Sequence, residues 1–393
     1  MSPREKVLSK IDEKETVEFF RKIVRIPSVN PPGNKGQVAE VILKKLKNLG
    51  FELNTFEAEK NRPNIIATLK GSEKKPTLLF NGHMDVFPPG PGWHYDPFGA
   101  EIVDGKIYGR TVDMKGGLAS MIMAAEAVCK SKVPLRGNLV LNIVSEEMTG
   151  GHKGTGFLTA KGLLKADMGI VCEPTGDSVY IAHRGVLWVE ISTFGKQAHA
   201  ELRWGGINAI SKMAEVIVAI NKELPPILAK KKHWILPSPT VNIGTIVGGT
   251  KVNMVPALCK IEVDRRLIIG ESFDGAQAEI ENIINELKEK DKELKVEVRR
   301  LPSVEPAEIS PDERIVQEIK KAYKEVTGRE PKIDGAGSYD DAHFLINQAK
   351  IPTAIFGPYG DPALSGVVDE YVEIDKLIDA TRTYAALMVN VLS

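Results

Sequence analysis

Three short apolar runs in the first half of the chain each lead to groups that can bind a proton or a metal. PTLLF, at 76–80, leads within five residues to His83 and Asp85; NLVLNIV, at 138–144, leads to Glu146 and Glu147; ADMGIVC, at 166–172, leads to Glu173. Such runs, without polar alternation, suit strands buried on both faces, as in a mostly parallel sheet covered by helices. The intervening segments supply the helices. KGQVAEVILKKLKNLG places Val38, Val41, Ile42, Leu46 and Leu49 at helical spacing and ends on Gly50, where a left-handed cap is expected. GGLASMIMAAEAVCK reads as another helix, with Gly116 and Gly117 letting it start close to crowded acids. In an open α/β sheet, loops at the carboxyl ends of strands present polar groups into one crevice, so the acids at these exits are expected to meet.

The pattern changes near residue 183. GVLWVEIST alternates like a half-buried strand, GGINAISKMAEVIVAI is helical, PTVNIGTIVGG and ALCKIEVDRRL are strands, FDGAQAEIENIINELKEK is helical, and ELKVEVRR is a strand. Strand-helix-strand-strand-helix-strand is the split order of a ferredoxin-like α+β domain. It is expected over 183–299, inserted into an α/β domain made of 1–182 and 300–393. A chain of 393 residues is comfortable as two domains.

Charge narrows the partners. The 52 basic and 52 acidic side chains cancel, so neither nucleic acid nor a membrane is the expected partner. Cys129, Cys172 and Cys259 show no metal or redox spacing. The first residues, MSPREKVLSKIDEKE, are charged, and a cytoplasmic location is expected.

Asp113, in YGRTVDMKGG, joins the strand-exit groups to make one histidine and five carboxylates. Crowded carboxylates raise one another's proton affinity, and Arg110 and Lys115 can neutralise only part of the cluster. A divalent metal resolves the conflict, since His nitrogen and carboxylate oxygen are ordinary zinc ligands. An oxygen-rich set also admits cobalt or manganese. His83 and Glu173 are expected on one ion, Asp113 as a bridge, and Glu147 on a second ion about 3.5 to 4 Å away. Asp85 is expected behind His83, fixing its tautomer. Of the adjacent Glu146 and Glu147, one binds metal and the other stays free to take a proton from water.

GHMD, GRTVDMKGG, SEEMTGG and CEP together resemble the metal-centre motifs of the acetylornithine deacetylase and succinyl-diaminopimelate desuccinylase family, metallohydrolases that include aminoacylases, carboxypeptidases and dipeptidases. The resemblance runs over essentially the whole chain. It implies a zinc-peptidase-like catalytic domain with an inserted ferredoxin-like lid and dimerisation domain. It also implies His83, Asp113 and Glu173 on one metal, Asp113 and Glu147 on the other, Asp85 as orienter and Glu146 as general base. His199 matches the lid histidine that in relatives reaches the neighbouring subunit, so a homodimer is implied. Asn253 and Arg266 match lid positions that contact the substrate carboxylate. GSYDDAHFL resembles a carboxyl-terminal segment whose usual Asp-Ala-Arg ends here in His343, so His343 is expected as a third substrate-binding residue.

One departure is specific. Relatives carry a last metal-binding histidine in a segment like AHSPDEYV, whereas this chain reads GPYGDPALSGVVDEYV, with Leu364 or Gly366 at the expected place. No histidine follows His343; Asp361 or His343 itself is the candidate replacement. The implied activity is hydrolysis of a small N-acylated amino acid, of deacetylase or desuccinylase type. The alternatives are a dipeptidase or carboxypeptidase on the same chemistry, and a non-catalytic ligand-binding or regulatory protein, which the missing histidine motivates.

Overall fold

The computed structural model describes residues 1–31, 33, 36–358 and 365–393. Two compact units emerge, one of 1–181, 308–335 and 340–393, the other of 182–307 with 336–339.

The first unit is built on a sheet with strand order Glu52–Glu57, Pro63–Leu69, Asn138–Val144, Thr77–His83, Met168–Val171, Thr353–Ile355, Ser178–His183 and Ala307–Glu308. Thr77–His83 lies in the middle and runs parallel to both its neighbours, Asn138–Val144 and Met168–Val171. All three apolar runs therefore exit at one end of the sheet. The flank departs from the mostly parallel expectation, because Glu52–Glu57 pairs antiparallel with Pro63–Leu69, which pairs antiparallel with Asn138–Val144. The link 58–62 is too short for the crossover that parallel pairing requires.

Both faces of the central strands are covered. Leu79, Val140 and Val171 pack with Leu158, Ala342 and Leu345 on one face. On the other, Phe80 meets Tyr384 edge to face at 5.2 Å. Tyr384 belongs to the helix Ile374–Leu392, which packs on the helix Lys115–Ser131. Lys115–Ser131 is buried on nearly every side, as its Ala, Met and Ile content requires. At Gly117 a Cβ would stand 1.8 Å from the Cys172 carbonyl oxygen, so only glycine lets this helix touch the strand exit that carries Glu173.

The second unit is a four-stranded antiparallel sheet ordered Val241–Gly248, Leu258–Leu267, Gly185–Phe194, Lys295–Arg300. Leu187, Ile191, Ile261 and Val263 meet Met213, Ile220 and Ile280 of the helices Ala209–Leu228 and Phe273–Lys290 in its core. This is the ferredoxin-like arrangement. Val241–Gly248 forms an open edge on which Ile246 and Val247 are 58% and 72% exposed. Among the described residues, no helix is long and apolar enough to cross a membrane.

Candidate metal centre

The parallel ladder continues past the strand ends and draws the exits together. Met84 N donates to the Val144 carbonyl at 2.8 Å, and Cys172 N to the Asn81 carbonyl at 2.9 Å. His83, the Glu146–Glu147 turn and Glu173 are thereby side by side. Asp113 arrives from above, one residue before the cap of the helix Lys115–Ser131.

His83, Asp113, Glu147 and Glu173 each offer one ligand atom, and the four atoms lie within 4.8 Å of one another. His83 Nε2 stands 3.0 Å from Asp113 Oδ1, 3.1 Å from Glu173 Oε1 and 3.8 Å from Glu147 Oε2. Ligands of a tetrahedral zinc ion at its usual bond lengths are separated by about 3.3 Å. One nitrogen and three oxygens at this spacing fit a divalent cation. His83, Asp113, Glu147 and Glu173 would hold it.

Electrostatics agree with that fit. Burial, then the Asp113 charge, pushes Glu173 up to about 8. Burial also raises Glu147 well above its ordinary value, although His83 pulls it down. For His83, burial works against the imidazolium, but the Glu173 charge and hydrogen bonds with Asp113, Asp85 and Glu173 outweigh it and leave the ring well above 6.5. His83, Glu147 and Glu173 therefore hold their protons more tightly than usual, and a bound cation would favour the deprotonated forms that act as ligands.

The neighbouring groups are distributed as follows. His83 Nδ1 lies 2.9 Å from the backbone carbonyl oxygen of Asp85 and 3.5 Å from that residue's carboxylate. With only Met84 between the two residues, Asp85 faces the ring nitrogen with its carbonyl and, farther off, with its carboxylate. Through its other oxygen the carboxylate accepts from Asn30 Nδ2 at 2.9 Å and Met148 N at 3.2 Å, joining three loops. Glu146, 2% exposed, meets Arg62 Nη1 at 2.6 Å and accepts from Thr149 Oγ1 at 2.9 Å.

The expectation that Arg110 and Lys115 neutralise part of the cluster is corrected. Arg110 pairs with buried Glu370 at 3.0 Å, and Lys115 Nζ donates to the Ile26 carbonyl at 2.8 Å. Both side chains are engaged by the loops they brace. Glu370 also accepts from Thr111 N at 3.0 Å and Gly366 N at 2.9 Å, so it fixes the loop that carries Asp113. Asn30, Arg62 and Glu370 were all missed from sequence. The acid in DEYV and the arginine before Pro63 are visible as residues, but nothing local shows where they point.

Two expected replacements for the missing histidine fare differently. Asp361 lies outside the described residues, as does Leu364. His343 is not one of the four clustered groups; it is 2% exposed, with Nδ1 2.9 Å from the Asp340 carbonyl oxygen and its ring 3.7 Å from that of Phe344. Its segment thus turns Nδ1 of the ring onto its own backbone. At Gly366 the backbone has φ +78°, and the preceding Ser365 donates Oγ to Asp113 Oδ2 at 3.2 Å.

In the second unit, His199 and Asn253 share a short ribbon. His199 pairs with Met254, and Ala200 N donates to the Asn253 carbonyl at 3.0 Å. Both side chains are exposed. Arg266 is engaged in a two-pronged pair with Asp264 at 2.8 and 3.1 Å.

Residues 79–390 match Peptidase family M20/M25/M40. A succinyl-diaminopimelate desuccinylase of Gluconobacter oxydans is 30% identical over 389 residues, covering 95% of this chain and 97% of that protein. Two solved structures share the fold: a dipeptidase of Saccharomyces cerevisiae (TM-score 0.82, 17% identity, 99% of this chain and 98% of that one) and a dinuclear metal-binding peptidase of Bacillus subtilis (TM-score 0.66, 16% identity, 96% and 98%). The non-catalytic alternative is accordingly set aside: the four-ligand cluster is assembled although the last histidine is absent. The chain belongs to Peptidase family M20/M25/M40 and is a hydrolase of amide or peptide bonds.

Proposed function

We propose that this enzyme removes a small acyl group, acetyl or succinyl, from an amino acid, with Glu146 as general base beside one firmly held zinc ion. The observation that carries the reading is the convergence of His83, Asp113, Glu147 and Glu173 on one point, with the Glu146 carboxylate next in the chain. A bound divalent cation supplies a Lewis acid for the acyl carbonyl and acidifies water. Glu146 takes the proton of the attacking water and delivers it to the leaving nitrogen. Asp85, Asn30 and the Asp85 backbone hold His83 and the Glu146 turn in register.

The acyl-amino-acid substrate is supported by the desuccinylase that covers nearly the whole chain. The fold likeness to a dipeptidase keeps short peptides as the second reading. Turnover of N-succinyl and N-acetyl amino acids in the zinc-loaded enzyme, at least tenfold above dipeptides at equal concentration, is the expected result of a substrate screen. Dipeptide hydrolysis alone overturns the acyl reading.

For the metal, zinc suits one nitrogen and three oxygens, with cobalt or manganese as working substitutes. One ion rather than two is supported by the missing histidine.

The enzyme is read as a cytoplasmic homodimer joined through the inserted unit. The open Val241–Gly248 edge, with Ile246 and Val247 exposed, can pair with its own copy about a two-fold axis. His199 and Asn253, exposed together, are then the groups assigned to the neighbouring subunit's substrate. Arg266 reaches a carboxylate only by giving up Asp264. A monomeric mass in light scattering at assay concentration overturns the dimer.

A further inference from the structure

We infer that Arg62 is a positioning residue for hydrolysis, its guanidinium fixing the carboxylate of Glu146; the inference rests on the reading of Glu146 as base. Its place follows from the register of the sheet. Pro63–Leu69 and Asn138–Val144 pair antiparallel, with Ile65 opposite Ile143 and Ile66 opposite Asn142. Continued past the strand ends, that register sets Arg62 across from Glu146. Side chains carry the ladder on: Ser145 Oγ donates to the Pro63 carbonyl at 2.9 Å, and Ser145 N to Asn64 Oδ1 at 3.0 Å.

The contact is directional. Arg62 Nη1 and Thr149 Oγ1 both address Glu146 Oε2, at 2.6 and 2.9 Å. Two donors on one oxygen set the plane of the carboxylate. The other oxygen, Oε1, is turned toward Asn30 Nδ2 at 3.3 Å, and the same amide holds Asp85, whose backbone carbonyl meets His83. Arg62 thus leaves Oε1 to the Asn30 amide, which links it to the residue that meets His83. Glu59, 3.3 Å from Arg62 Nη1, steadies the guanidinium from outside. A permanently charged planar guanidinium suits this task better than a lysine ammonium. Glu146 also occupies a left-handed backbone conformation, φ +77°, that a non-glycine residue adopts only when held.

The test uses the zinc-loaded enzyme and whichever amide substrate it turns over. Arg62→Ala is expected to lower kcat about 10- to 100-fold with KM and the bound metal count unchanged, the range for residues that orient catalytic groups. Arg62→Lys is expected to recover part of the loss, as is added methylguanidine with Arg62→Ala. In a Glu146→Ala background, Arg62→Ala is expected to cause no further loss, because the two act as one unit. A crystal structure of Arg62→Ala is expected to show Glu146 turned away from Asn30. Full activity of Arg62→Ala alongside an inactive Glu146→Ala overturns the proposal while leaving Glu146 as base. So does a KM effect alone, an additive loss in the double variant, or an unmoved Glu146 carboxylate. Full activity of Glu146→Ala sinks the base assignment itself.

Discussion

His83→Ala is expected to leave the protein unable to hold zinc in the micromolar range and to cut hydrolysis at least a thousandfold. The imidazole is the one neutral donor in a set whose other members are Asp113, Glu147 and Glu173. Removing it leaves three carboxylates around a gap. A thousandfold loss corresponds to about 4 kcal/mol of transition-state stabilisation, within what a Lewis acid at a carbonyl supplies. Calorimetric titration of chelator-treated protein is expected to give one zinc per chain for wild type and none for the variant.

The same titration carries a pH signature. His83 sits well above its ordinary 6.5 and Glu173 at about 8, so at pH 7 both bind protons that an incoming cation must displace. Zinc uptake is therefore expected to release protons, and affinity to climb as pH rises from about 6 to 9. Repeating the titration in buffers of different ionisation heat measures the release. Wild-type affinity in His83→Ala, or uptake without proton release, overturns the ligand assignment.

How far the sequence reveals this centre depends on whether a residue's placement is local. The runs TLLF, NLVLNIV and MGIV mark buried strands because their composition leaves no polar face, and the residue after each exit is fixed by chain continuity. His83, Glu146, Glu147 and Glu173 were legible for that reason. The ferredoxin-like unit was legible because alternation and helical spacing succeed one another in a recognisable order. Arg62 and Asn30 were not. Arg62 reaches Glu146 through strand register, and Asn30 reaches Asp85 because its N–H donates to the Val86 carbonyl, a pairing between segments far apart in the chain. Neither contact leaves a spacing to read. Arg110 and Lys115 failed in the opposite sense: near the acids in sequence, they are turned by backbone direction to Glu370 and the Ile26 carbonyl. Nearness along a chain says nothing about where a long side chain points.

Glu146→Ala separates the base from the ligands. Its carboxylate is not one of the four clustered groups, and its contacts run to Arg62, Thr149 and Asn30. The variant is therefore expected to keep wild-type zinc stoichiometry while losing about 10²- to 10⁴-fold in turnover, the usual contribution of a positioned proton acceptor. Glu146→Gln tests the chemistry with less structural disturbance, since the amide oxygen still accepts from Arg62 or Thr149 but cannot carry the proton to the leaving nitrogen. Both variants are expected to fall by similar factors if proton transfer is the function lost. Glu146→Ala losing zinc in proportion to activity would instead move Glu146 into the ligand set. A fall in Glu146→Ala with near-normal turnover in Glu146→Gln would make the side chain a hydrogen-bonding spacer, and the proton would then have to travel through another group beside His83.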